Sequence, residues 1–349
     1  MNWRDLDIPR VVLVVLVVLT ASAAVVGAST STASFGVYNP AWDGASDLRG
    51  VADDTGTKTT LVRNTSRYAA FAPSETVAFV LSPDDAYTPA QQARLRAFVE
   101  GGGTLVVAED YGMHSNDLLA GLGATARFDG TPVRDERRNY QSPAIPVANN
   151  VSAHPLANGS NALVLNHGTV VEANNATVLA RTSEFAYLDA NRNDALDETE
   201  SVGTYPVATV EQVGAGQVVA VSDPSAFINA MLDRPGNRAF AEALVGAHDQ
   251  LLLDYSHADQ LPPLAVAVVI LRESALVQAL VGVLGLGAVL LVSRRVVGSE
   301  DEPAVDRSVG LTSAEVEAYL ARRHPDLESR RIERVTQGII VTEEEAEER

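Results

Sequence analysis

The chain has no cysteine, and Lys58 is the only lysine among its 26 basic residues. Without thiols it has no disulfides, thiolate metal sites or cysteine nucleophile, which removes several enzyme classes at once. Positive charge is also scarce: 45 acidic residues leave a formal net charge of -19 over 349 residues. Such a surface repels nucleic acid, so no nucleic-acid partner is expected, and the preference for arginine with abundant carboxylates is the balance of a halophile. Catalytic signatures are missing too. The turn DPSAF at 223–227 lacks the paired glycines of a G-x-S-x-G elbow, and His114, His154, His167, His248 and His257 are scattered without metal-ligand spacing.

The apolar residues are concentrated in two runs. Residues 11–29, VVLVVLVVLTASAAVVGAS, are uncharged and follow Arg4 and Arg10. Their length fits a transmembrane helix or signal anchor, and the small residues around Ala21 and Ala23 fit a cleavable signal peptide as well. The second run, 264–293, reads as an interfacial stretch, LAVAVVIL, then a span from Ala275 to Val292 followed by Arg294 and Arg295. The flanking arginines place both ends in the cytoplasm. The expected organisation is a cytoplasmic N-terminus (1–10), a first span (11–29), an extracellular domain (30–260), an interfacial segment with a second span (264–293) and a cytoplasmic tail (294–349). The location expected is thus the cell membrane. Four N-x-S/T sequons, at Asn64, Asn150, Asn158 and Asn175, fall in the outer segment as candidate glycosylation sites.

Within that segment, ASFGVY (33–38), TVAFVLS (76–82), TLVVAE (104–109) and GQVVAVSD (216–223) read as strands. Helices alternate with them. In TPAQQARLRAFVEGGG, Thr88 caps, Pro89 occupies the first turn, Leu95, Phe98 and Val99 form the apolar face, and glycines end the helix. The alternation predicts an α/β fold with a mostly parallel sheet, and the turn-rich region from about 125 to 215 predicts a β-rich insertion.

The runs TPAQQARLRAFVEGGGTLVVAEDYGMHSNDLLAGLG and GAGQVVAVSDPSAFINAMLDRPGNRAFAEALV resemble a haloarchaeal membrane-anchored family of unknown function, whose exported domain is similar to glutamine amidotransferases. The resemblance implies a flavodoxin-like or amidotransferase-like sheet and an auxiliary role in a membrane system, with a membrane or cytoplasmic partner such as an ATPase. Enzymes of that fold use a cysteine on the sharp turn after a strand, with a histidine base, and this chain departs from the pattern. Function must therefore be argued from the site.

In open α/β sheets ligands bind at the carboxyl ends of the strands. The polar residues after the apolar runs are Asn39, Asp43, Asp84, Asp110, Asn116, Asp223, Ser225 and Asn229, candidate ligand-binding residues that would serve equally as helix caps and turn residues. A separate stretch, DANRNDALDETE (189–200), has the spacing of a calcium loop. Asp189, Asn191, Asn193, the Ala195 carbonyl, Asp197 and Glu200 would ligate Ca²⁺, with Leu196 anchoring the loop and Asp194 where glycine is usual. A plain Asx-rich turn fits the same residues. In the tail, LTSAEVEAYLARRHPDL reads as a helix with Thr312 and Glu315 in capping-box register and Val316, Tyr319 and Leu320 on one face. The function expected is a non-catalytic sensing, binding or scaffolding module, with a hydrolase using Asp and Ser residues at the sheet edge as the alternative.

Overall fold

The computed structural model describes residues 33–258, 313–323 and 331–335 and the isolated positions 16, 19, 20, 279, 283 and 287. The chain divides into two units, residues 1–273 and 274–349. In the second, a helix spans Ser313–Arg323, where Arg323 Nη1 donates to the Tyr319 hydroxyl at 3.3 Å and Tyr319 is exposed. Thr312, the expected cap, lies outside the described residues.

The first unit is built on an eight-stranded sheet. Its strands are β1 (Lys58–Val62), β2 (Thr76–Leu81), β3 (Thr104–Ala108), β4 (Asn150–Val151), β5 (Thr177–Arg181), β6 (Pro206–Val213), β7 (Gly216–Val221) and β8 (Gln250–Asp254). The spatial order is β1-β8-β2-β3-β7-β6-β5-β4. The first five strands are mutually parallel, and β6, β5 and β4 continue antiparallel. β6 and β7 form a hairpin in which Val213 pairs with Gly216, leaving a two-residue turn. Gly214 takes φ 64° there, and an added Cβ would lie 2.7 Å from Glu100 Cα, so both conformation and space call for glycine.

The inner parallel strands β8, β2, β3 and β7 bury both faces, which is why they read as unbroken apolar runs. Phe79, Val106, Val219 and Leu251 face one layer, holding helices α1 (Ser46–Thr55) and, near the end of the domain, Pro235–Val245. Val80, Leu105, Val107, Val218 and Leu252 face the other, holding α2 (Pro89–Glu100) and α3 (Ser115–Leu122). α2 opens as its sequence predicts, with the Thr88 N–H donating to Gln91 Oε1 at 2.8 Å.

Two expectations need correction. Residues 33–38 form turns instead of a strand: Phe35 takes φ 59° and Gly36 N–H closes onto the Ala33 carbonyl at 3.0 Å, which breaks the extended geometry. The two-span membrane architecture, with its cell-membrane location, is corrected as well, because among the described residues no helix is long and apolar enough to cross a membrane. The longest of these in the domain, α2, has 12 residues, about 18 Å of rise against a hydrocarbon core of roughly 30 Å. The apolar runs at 11–29 and 264–293 lie outside the described residues apart from isolated positions. What stands is an α/β fold with a mixed, mostly parallel sheet.

Candidate functional site at the carboxyl edge of the sheet

The carboxyl ends of β2, β3, β7 and β8 meet at one edge of the sheet. Five of the eight predicted polar residues spend their side chains there or nearby on holding the backbone. Asn39 is buried, donates to the Ala33 carbonyl and to Asp43 Oδ1, both at 3.0 Å, and accepts from Ala41 N–H at 2.9 Å. Asn229 ties the same loop down from the far side, donating to the carbonyls of Asn39 (3.0 Å) and Ala41 (2.7 Å) and accepting from Asp47 N–H (2.9 Å). Asp43 belongs to this lock. Asn116 pairs twice with the backbone of Phe128, at 2.8 and 2.9 Å.

Asp223 caps the turn that begins at Pro224, accepting from Ser225 N–H at 2.7 Å and Asn166 N–H at 2.5 Å. Burial pushes its pKa up to about 7; the Asn166 N–H works against this and the nearby Asp110 charge reinforces it. Asp110 receives Tyr111 N–H at 2.6 Å, and Tyr111 arches across to the carbonyl of Gly168 at 3.2 Å. Asp84 is exposed, and its N–H reaches the His257 carbonyl at 2.8 Å.

The edge also holds groups that the sequence reading missed. Glu109, fully buried at the end of β3, accepts from Asp110 N–H and Gly112 N–H at 2.9 Å, from Ser115 Oγ at 2.9 Å and from Ser82 Oγ at 3.2 Å. Gly112 lies so close that a Cβ would sit 2.3 Å from the Glu109 carboxylate. Burial raises the Glu109 pKa, against the pull of those donors. Asp254, ending β8, is buried and accepts from the Tyr68 hydroxyl (2.7 Å) and from Ser256 N–H (2.8 Å) and Oγ (2.6 Å). Its pKa is raised, by burial foremost. Ser256 Oγ also lies 2.9 Å from His257 Nδ1, and the His257 ring packs on Tyr87 with centroids 3.8 Å apart. The signal was available: QLLLD at 250–254 is an apolar run ended by a carboxylate, like the runs that were read.

The order Asp254–Ser256–His257 matters chemically. Ser256 Oγ donates to the carboxylate, and the direction of its contact with His257 Nδ1 is set by the histidine tautomer. Next to this chain of groups a cleft of about 210 Å³ opens, lined by Ser34 to Val37, Phe79, Leu81, Ser82, Asp84, Asp254 and Tyr255. Of the eight predicted ligand residues only Asp84 lines it.

The 189–200 loop lies in the β-rich insertion, after the strand Ala186–Leu188. Asp189 is buried, and it accepts from Arg134 Nε at 2.7 Å, Asn193 N–H at 3.0 Å and Asp194 N–H at 3.0 Å. Burial alone would raise its pKa, but Arg134 and the two N–H donors outweigh that and hold it below the ordinary value. Arg134 also pairs with Asp194, which takes φ 66° at the position where such loops want glycine. The side-chain tips of Asn191 and Asn193 meet on Asp197 Oδ2, at 2.5 and 2.9 Å. Ala195 N–H turns back onto Asn193 Oδ1 at 2.9 Å, and Glu200 accepts from Ala190 N–H (2.8 Å) and Asp197 N–H (3.1 Å). Among the described residues no three His, Asp or Glu side chains gather as a metal-ligating group, so any cation here would draw on the asparagine oxygens. Leu196 is exposed instead of anchoring the loop. Asn64, Asn150, Asn158 and Asn175 are all exposed, and Asn64 additionally caps the turn of Thr65–Ala70.

The fold and this edge define a three-layer α/β domain carrying an antiparallel insertion. The chain belongs to the DUF4350 family, a domain of unknown function, whose model matches residues 37–245. No curated protein matches it. Among solved structures, the mmIFT52 N-terminal domain is 13% identical at a TM-score of 0.41, with 52% of this chain and 79% of that one covered. The Salmonella typhimurium cytoplasmic protein STM3548 is 14% identical at 0.32, covering 58% and 85%. The cold-adapted β-galactosidase from Rahnella sp. R3 is 17% identical at 0.31, covering 49% of this chain but only 22% of its own length. All three are too distant to bear on activity.

Proposed function

We propose that this protein is a non-catalytic binding or scaffolding module that presents the carboxyl-edge cleft between Ser82, Asp84 and Tyr255 to a ligand or a protein partner. The observation that carries this reading is the commitment of the edge's reactive groups to structure. Ser256 Oγ donates a hydrogen bond to Asp254, Asp223 accepts from two backbone N–H groups, and Glu109 accepts from two N–H groups and two hydroxyls. The resemblance to a haloarchaeal family with an amidotransferase-like fold agrees with a role beside a partner such as an ATPase. In the enzymes of that fold the working group is a cysteine, which this chain does not have. The test is complementation of a gene deletion by a Ser225→Ala, Ser256→Ala double variant. Full rescue is expected, whereas loss of rescue by a folded double variant would restore the hydrolase reading. Affinity purification at native salt should recover a stoichiometric partner that an Asp84→Arg variant loses, and recovery of the protein alone counts against a partner.

Calcium bracing of the insertion belongs to the same reading. Support comes from the calcium-loop register of the residues and from the way Asn191 and Asn193, donating through their amide nitrogens to Asp197 Oδ2, hold the three side chains together; an ion would turn the amide oxygens inward. Asp189, Asn191, Asn193, Asp197, Glu200 and the Ala195 carbonyl would hold the ion, supplying rigidity and no chemistry. The full chain should melt higher in calcium than in a chelator, and the difference should vanish in Glu200→Gln. An unchanged melting temperature leaves only the Asx turn.

A further inference from the structure

On the sheet face covered by α2, the turn Thr65–Ala70 and the following Phe71–Pro73 run alongside the helix and line a crevice of about 390 Å³. Its walls are apolar: Tyr68 and Phe98 meet edge to face at 5.1 Å, Phe71 stays half-buried, and Pro73 and Ala97 close the sides. Arg94 stands at this crevice, exposed, with its Nη1 donating to Thr65 Oγ1 at 3.1 Å. Among the described residues no carboxylate pairs with it, whereas Arg96 holds one and Arg134 and Arg238 hold two each.

The local charge runs against that of the whole chain. Residues 63–71, RNTSRYAAF, carry two arginines and no acid in a protein with 45 acids against 26 bases. A guanidinium beside an aromatic crevice presents a forked donor to a planar anion and an apolar wall to whatever the anion is attached to. The volume lies near the lower end of ordinary ligand pockets, roughly 300–1,000 Å³, and the lining has their usual composition, mostly apolar with a few polar groups.

We infer that this crevice binds a small amphiphilic carboxylate, whose ring or short aliphatic body lies against Phe71, over the floor formed by the buried Tyr68 and Phe98, while its carboxylate pairs with Arg94. The crevice has its own lining and shares none of it with the carboxyl-edge cleft, although the Tyr68 hydroxyl donates to the cleft residue Asp254 at 2.7 Å. Calorimetric titration of the full chain with 3-phenylpropanoate, beside the neutral 3-phenylpropan-1-ol, tests it. Saturable binding of the acid is expected, about tenfold weaker in Arg94→Gln and about tenfold weaker for the alcohol, as for the loss of one charge-assisted hydrogen-bonded pair. Arg94 is exposed, so this variant should melt with the parent, which separates lost binding from lost folding. Ala97→Trp, which fills the crevice, should abolish binding, and Asp84→Arg should leave it untouched. No saturation up to the solubility limit overturns the site. Equal affinities for acid and alcohol, or for parent and Arg94→Gln, overturn the role of Arg94.

Discussion

The parallel half of the sheet and the insertion between residues 125 and 215 are held together by different means. In β8, β2, β3 and β7 nearly every residue is buried, and the strands are gripped by helices on both faces. The insertion has strand pairs of two or three residues, such as Val133–Asp135 with Ala186–Leu188, which bury too little to stand alone. To the core it shares with the strands it adds polar side chains that grip the backbone. Asp135, buried, takes the N–H groups of Arg137 (2.9 Å) and Arg138 (2.7 Å) and the Ser183 hydroxyl (2.5 Å). Glu211, from β6, holds Thr125 and Ala126 by their N–H groups. The parallel half therefore rests on non-directional burial, while the insertion, whose Val133, Leu163, Leu165, Leu179 and Ala186 join the same core, depends in addition on directed bonds that a single substitution can break.

Substitutions should separate the two. Phe227 is fully buried between Phe79, at 5.2 Å edge to face, and Phe240, at 6.3 Å stacked. Phe227→Ala should cost about 3–5 kcal/mol, read as a large drop in the urea midpoint. Asp135→Ala should cost less, roughly 1–3 kcal/mol, and only locally. Hydrogen exchange should show amides of 127–188 losing protection while β2 and β3 keep theirs; equal loss in both would erase the distinction.

Asp223, where the two halves meet, gives a pH test. Its folded pKa is raised, so the folded state holds the proton more tightly than the unfolded state does. Below an unfolded pKa near 3.9 the group contributes nothing to the difference. As pH climbs towards about 7 stability falls, by up to about 1.4 kcal/mol per unit, and then levels off. The melting temperature of Asp223→Asn should therefore gain on the parent between pH 5 and 7 and run parallel above. A constant offset across that range would contradict the assignment. The smallest effect belongs to the exposed bridge of Arg238 with Asp54 (2.5 Å) and Glu242 (3.0 Å), where Arg238→Ala should shift stability by no more than about 0.5 kcal/mol.

The same contrast decided what could be read from the sequence. TVAFVL, TLVVA and GQVVAV announced buried parallel strands because burial on both faces leaves a continuous apolar run, and the Thr88-Pro89 start of α2 was equally plain. KTTLV was passed over because β1 lies at the sheet edge and is only partly buried. Residue type alone marks the polar positions that follow the apolar runs, of which only Asp84 lines the cleft, and the partners of the others are hidden. Nothing local links Asn229 to the carbonyl of Asn39, 190 positions away, or Tyr68 to Asp254, 186 away. The 189–200 loop was legible in spacing because its hydrogen bonds are short-range; Arg134, which grips Asp189 from 55 positions upstream, was not.

The place of β8 has a consequence for how the chain is made. The last strand of the domain lies between two of its first, β1 and β2, which do not touch each other in the sheet. During synthesis those two strands must wait, with a vacant lane between them, until residues 250–254 have left the ribosome. Pairing across nearly two hundred residues is slow in principle, and open strand edges recruit other chains in the interval. A chain stopped short of Gln250 should therefore aggregate during synthesis instead of yielding a smaller soluble domain.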